Sequence, residues 1–181
     1  MNYIYKSQSL KTIICDELCK YISSEKTQLN CNHSKYVLLP TAKQYNHLYY
    51  NINLHINSYI DFLNNQSAHI PYKYFYNNKF YISNFTIYKF DKSSINELFN
   101  DIVIDCNLYT YSVFRFIWIL NDLNNELVFL NNEKIKTSIG EIYIFPCYWS
   151  FPFTDTNIMD TKYFIIGHIE IAREKIVHLN G

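Results

Sequence analysis

The chain carries no excess charge of either sign: 16 Lys and Arg stand against 16 Asp and Glu. A neutral chain has no long-range field to draw it to nucleic acid or to an anionic membrane, so neither is expected as a partner. No apolar run approaches the roughly 18 residues that a membrane-crossing helix needs. No charged-then-apolar leader opens the sequence either, and the expected setting is cytoplasmic. The cysteines, at positions 15, 19, 31, 106 and 147, are odd in number and scattered, which argues against a disulfide framework. Linkers, low-complexity blocks and internal repeats are missing too. The 181 residues therefore read as a single domain, long enough to bury a core.

Only three glycines stand against 18 tyrosines and 13 phenylalanines, an unusual balance for a soluble domain. The heavy use of Asn, Ile, Tyr, Phe and Lys is that of an AT-rich genome, such as a large virus or a protist carries. It also warns against reading each Asn as a turn. Two segments in the first 70 residues follow the helical period. Ser9 to Ser23 places Leu10, Ile13, Ile14, Leu18, Tyr21 and Ile22 on one stripe, with Ser9 as N-cap. Thr41 and Gln44 have the spacing of a capping box, and a helix over 42–63 follows. Its Tyr45, Leu48, Tyr49, Ile52, Ile56, Tyr59, Ile60 and Leu63 keep the 3.6 period for about six turns. Between the two, Lys35 to Leu39 reads as a strand.

From Pro71 onward the period changes to two. Tyr72–Tyr76 and Lys79–Ser83 flank Asn77-Asn78 as a hairpin, and Phe85–Phe90 is a further strand. A helical turn is expected over 95–100, then strands over Ile102–Cys106 and Leu108–Leu120. The last third holds four apolar runs of strand length, with core strands expected over Arg115–Leu120, Glu126–Leu130, Glu141–Phe145 and Lys162–Ile171. Pro146, with no backbone donor, suits a strand end or edge. Tyr72, Tyr74, Tyr76, Tyr81 and Tyr88 would make a base-stacking platform only with interleaved arginines, so they read as sheet-face packing.

Several pieces of this last third resemble the C-terminal half of the iron(II)/2-oxoglutarate oxygenases of the prolyl-4-hydroxylase type. They are Arg115, then Ile119-Leu120-Asn121-Asp122, Asn124-Asn125-Glu126 with Phe129, Gly140 with Phe145-Pro146 and Trp149-Ser150, and Lys162-Tyr163 with Gly167. The resemblance implies a mainly β fold, a double-stranded β-helix or jelly roll, buttressed by two N-terminal helices. Residues 1–70 would form the helical support and 71–181 the jelly-roll core. It also implies chemistry that this chain departs from. Iron(II) in that family is held by two His and one carboxylate on one face of the metal. No histidine lies between Asp91 and Phe114; the triplet nearest the family's first motif is Phe99-Asn100-Asp101, which keeps a carboxylate alone. Where the distal His would fall stands Phe153.

Other donors do not form a replacement by their spacing. Cys15, Cys19, Cys31 and His33 do not follow a standard zinc spacing. His33, His47, His55 and His69 lie on or near the helices, and His178 in the tail. His168 alternates in phase with Lys162, Phe164 and Ile166 and reads as a satisfied, partly buried histidine. Arg115, between Phe114 and Phe116, reads as a residue of a strand's exposed face. Lys162 is the residue that the resemblance keeps: a Lys or Arg at this spacing binds the distal carboxylate of 2-oxoglutarate in that family. The expectation is a degenerate metal site at Phe99, Asp101 and Phe153, and a binding or scaffold module rather than a catalyst. A small anion at Lys162 or a protein partner would be its ligand. The alternative is an active dioxygenase that uses Fe(II) and 2-oxoglutarate through non-standard ligands, and a third is a self-associating structural protein.

Overall fold

The computed structural model describes residues 3–24, 34–38, 45–66, 79–90, 110–121, 126–129, 133–147, 153–154 and 161–172. Two helices and two antiparallel sheets are found there. In chain order these are β1 (Tyr5–Gln8), α1 (Thr12–Ser24), β2 (Ser34–Leu38), α2 (Asn46–Gln66), β3 (Phe80–Phe90), β4 (Thr110–Ile119), β5 (Glu126–Val128), β6 (Lys134–Lys136), β7 (Glu141–Pro146), β8 (Phe153–Thr154) and β9 (Lys162–Ala172). The major sheet has the order β1-β7-β4-β9-β3-β2 and the minor sheet the order β6-β5-β8. This is the jelly roll with two buttressing helices. No helix among the described residues is long and apolar enough to cross a membrane.

Why the central strands read as unbroken apolar runs is clear from their two faces. Helices cover one side of the major sheet and the minor sheet covers the other, so both faces are dry. Along β4, Phe114, Phe116 and Trp118 pack with Leu48, Ile52, Ile56 and Tyr59 of α2. The alternate residues Ile117 and Ile119 join Leu127 and Phe129, which follow from the minor sheet, in a second cluster. On β7, Ile142 and Ile144 belong to the helix side, and Tyr143 and Phe145 to the interior. Each such large side chain contributes about 1.5–3 kcal/mol by leaving water.

Several local details differ from the sequence reading. The N-terminal segment joins the major sheet as well as buttressing it: the strand expected over 35–39 is β2 at one edge, and β1, which was not expected, forms the other. β3 is one strand where two were expected, with an irregularity between Ser83 and Thr86 in place of a break. Helix α1 starts at Thr12, and Ser9 does not cap it: its hydroxyl is buried and finds no partner among the described residues, while its N–H donates to Gly140 O. Ile13 is 65 % exposed, and buried Cys15 takes its place in the stripe with Leu18 and Ile22. At 100° per residue Ile13 lies roughly 140° around the helix from Leu18, so the core could not hold both. The capping box at 41–44, the segments 71–78 and 95–106, and the pair Cys31 and His33 lie outside the described residues.

One glycine is fixed by its surroundings. Gly140 has φ +81° in the turn before β7, and a Cβ there would collide with the Leu10 carbonyl oxygen. Its N–H donates to Ile119 O, and its carbonyl accepts from the Ser9 and Leu10 N–H groups. The turn thereby ties the β1–α1 junction to the end of β4.

Candidate functional site

The interior face of the major sheet can be followed row by row from the strand register. Phe145, Arg115 and His168 lie side by side on β7, β4 and β9. Next come Tyr143, Ile117, Ile166 and Thr86, and then Ile119, Phe164 and Tyr88. Lys162 stands one step further, opposite Phe90. Its ammonium-bearing side chain is 2 % exposed. Alternation along β9 puts it on the face of Phe164 and Ile166, which pack in the interior cluster. Ile165 and Ile169, on the opposite face, pack with the helices.

The start of β9 is held by β4. Leu120 N–H donates to Tyr163 O at 3.1 Å. Asn121 Nδ2 donates to Thr161 O at 2.8 Å, and Asn121 Oδ1 accepts from Tyr163 N–H at 2.9 Å. At the same end, Glu141 is fully engaged. Its Oε1 pairs with Lys6 Nζ at 3.0 Å, and its Oε2 accepts from Tyr143 OH at 2.6 Å and from Ser138 N–H at 2.7 Å. Burial, with the neighbouring Glu141 carboxylate adding to it, pushes the Tyr143 phenol far up, so it acts as a donor.

Polar groups gather at the far end of the face, about six residues or 20 Å along β9 from Lys162. His168 Nδ1 lies 3.2 Å from Ser112 Oγ, and Ser112 sits opposite Glu170. A shift of register between Ser112 and Phe114 brings Ser112 onto the side of these residues. Arg115, expected on an exposed face, is 6 % exposed. Desolvation lowers its pKa, and the Cys147 thiol partly offsets that. The sequence reading went wrong there because the interior face is covered by the minor sheet, whose strands are too short to show a period.

Of the residues expected at a degenerate metal site, Phe99 and Asp101 lie outside the described residues. Phe153 opens β8 and pairs with Val128. A facial iron(II) site needs two imidazoles and a carboxylate converging. Among the described residues no three His, Cys, Asp or Glu side chains converge. His168, on the interior strand, is bonded through Nδ1 to Ser112 and is not joined there by two further donors, so the described residues do not make up the triad. Cys15 and Cys19 belong to the packed stripe of α1; burial pushes their thiols up to about 11 and about 12, the opposite of what a metal-binding thiolate needs. Sequence reasoning missed the Asn121 bridge, the Glu141 knot and the Ser112–His168 pair. Each depends on strand register, for which single residues carry no signal.

A jelly roll with two sheets, helices on the major sheet and this strand order is the fold of the prolyl-hydroxylase type of 2-oxoglutarate/iron oxygenases. Solved structures agree. The viral collagen prolyl hydroxylase of Paramecium bursaria Chlorella virus-1, solved as a 2OG complex, superposes with TM-score 0.65 at 14 % identity, over 95 % of this chain and 97 % of its own. A Pseudomonas putida prolyl-4-hydroxylase gives 0.57 at 9 %, over 96 % and 94 %. A putative oxygenase from Shewanella oneidensis gives 0.51 at 9 %, over 94 % and 80 %. No protein-family model matches the sequence, and no curated protein matches it. The likeness is one of fold.

Proposed function

We propose that this oxygenase-like domain is a binding module that has given up iron chemistry and holds a small anion, of the dicarboxylate class, at Lys162. The observation that carries this reading is the burial of Lys162 on the interior face, beside Phe164 and at the head of a strand. An ammonium is strongly hydrated and carries three donors, so at the interior end of a strand it can be held by the protein and still offer a donor to an anion. Retaining it there, while the chain has no histidine over 91–114 and Phe153 at the distal position, separates the anion-binding half of an oxygenase site from the metal-binding half. Without a metal to chelate its other end, 2-oxoglutarate keeps one anchor. Millimolar affinity follows, about −4 kcal/mol.

Ligand-observed NMR of 2-oxoglutarate with wild type and with Lys162→Ala tests the site. Weak saturable binding by wild type, lost in the variant, is expected; identical behaviour of the two would remove it. Release of succinate from 2-oxoglutarate above background would instead favour an active dioxygenase with non-standard iron ligands.

A further inference from the structure

Asn121 stands one residue past the end of the β4–β9 ladder, where Leu120 N–H to Tyr163 O at 3.1 Å is the last backbone rung. Beyond it the side chain takes over. Asn121 bonds Thr161 O through Nδ2 at 2.8 Å and Tyr163 N–H through Oδ1 at 2.9 Å. The amide orientation is fixed by its partners, because an N–H can only donate and a carbonyl can only accept. A carboxamide is a peptide group on a tether, and here it adds one more rung to the sheet. The two backbone groups that it holds are those on either side of Lys162. The backbone of Lys162 itself turns toward β3, where it pairs with Phe90, so the Asn121 rung secures the strand start on the β4 side.

We infer that Asn121 is a positioning residue for Lys162, acting through the backbone without touching the ligand. This rests on the anion-binding reading of Lys162 given above. A lysine has four rotatable side-chain bonds, so the place of its ammonium depends on the direction in which Cα–Cβ leaves the strand. That direction is set by the peptide planes of residues 161–163. Loosening them spreads the ammonium over more positions and removes preorganisation, which weakens binding without removing a contact. Other short side chains lack the pattern: Asp has no donor, Ala neither group, and Gln carries the amide one methylene too far.

The test uses the full chain with 13Cε-labelled lysine and 2-oxoglutarate as the probe. Asn121→Ala, checked as folded by its circular dichroism, is expected to weaken the NMR-observed binding by about ten-fold. The Lys162 Cε resonance, assigned from its loss in Lys162→Ala, should move toward that of solvent-exposed lysines. Should Asn121→Ala not fold, Asn121→Gln carries the same two expectations with a smaller loss. A folded variant with wild-type binding and an unmoved Cε resonance overturns the inference while the Lys162 site stands. If Lys162→Ala itself binds as wild type does, the anion reading fails, and the Cε resonance alone decides whether Asn121 positions the side chain.

Discussion

Buried charge is handled differently from residue to residue in this chain. Glu141 is met by a cation, a phenol and a backbone N–H, so its place is explained by local geometry alone. Lys162 is explained by its face on β9, and that face was readable from alternation with Phe164, Ile166 and His168. Arg115 was not readable, because a cation between two phenylalanines looks the same in sequence whether its own face is covered or wet. A histidine on the helix side gives a prediction at this scale. His55 Nδ1 lies 3.2 Å from Tyr5 OH where α2 crosses β1, and desolvation lowers its pKa below the ordinary 6.5. The fold therefore binds this proton less well than the unfolded chain does. The stabilisation is fully present above about pH 6.5, is lost as pH falls from there to the folded pKa, and then levels off. Urea midpoints for wild type should drop between pH 7.5 and pH 5, and in His55→Gln the drop should be smaller. An equal drop in both would show that His55 contributes nothing to it.

Among the elements, the long ones were legible; of the short ones β2 and β5 were expected, and β1, β6 and β8 were not. Helix α2 runs for 21 residues with one apolar stripe, enough turns for the period to stand out. Ile52 on that stripe is fully buried, whereas Leu54 on the other side is 49 % exposed. Ile52→Ala should therefore cost about 2–5 kcal/mol. Leu54→Ala should stay within about 0.5 kcal/mol, both measured by urea unfolding. Similar costs for the two would mean that the helix docks by a different face. β6 has three residues and β8 two, too few for any alternation to register, and their pairing with β5 is set by the rest of the fold. β1 escaped notice for the same reason, and its place at the sheet edge is secured by Lys6 with Glu141 and by Tyr59 OH donating to Tyr3 O at 2.7 Å. In β3 the two strands expected over Lys79–Ser83 and Phe85–Phe90 are one, because the sheet absorbs the break between them as a shift of register.

For the whole molecule, the fold was legible because many motif pieces had to occur in one order, and order survives where identity has fallen to 14 %. The chemistry depends instead on a few side chains at single positions, and the proposed reading rests on the expectation that Phe99 and Phe153 stand where the resemblance puts imidazoles and Lys162 where it puts a cation. Fold alone does not decide between a binding module and a catalyst. On the proposed reading, the interior Lys162 serves an anionic ligand and no ferrous site is formed; among the described residues no three His, Cys, Asp or Glu side chains converge. Anaerobic calorimetric titration of the full chain with ferrous iron at neutral pH, with and without 2-oxoglutarate, tests this most directly. The account predicts no stoichiometric binding under either condition; tight one-to-one uptake of iron, strengthened by 2-oxoglutarate, would contradict it.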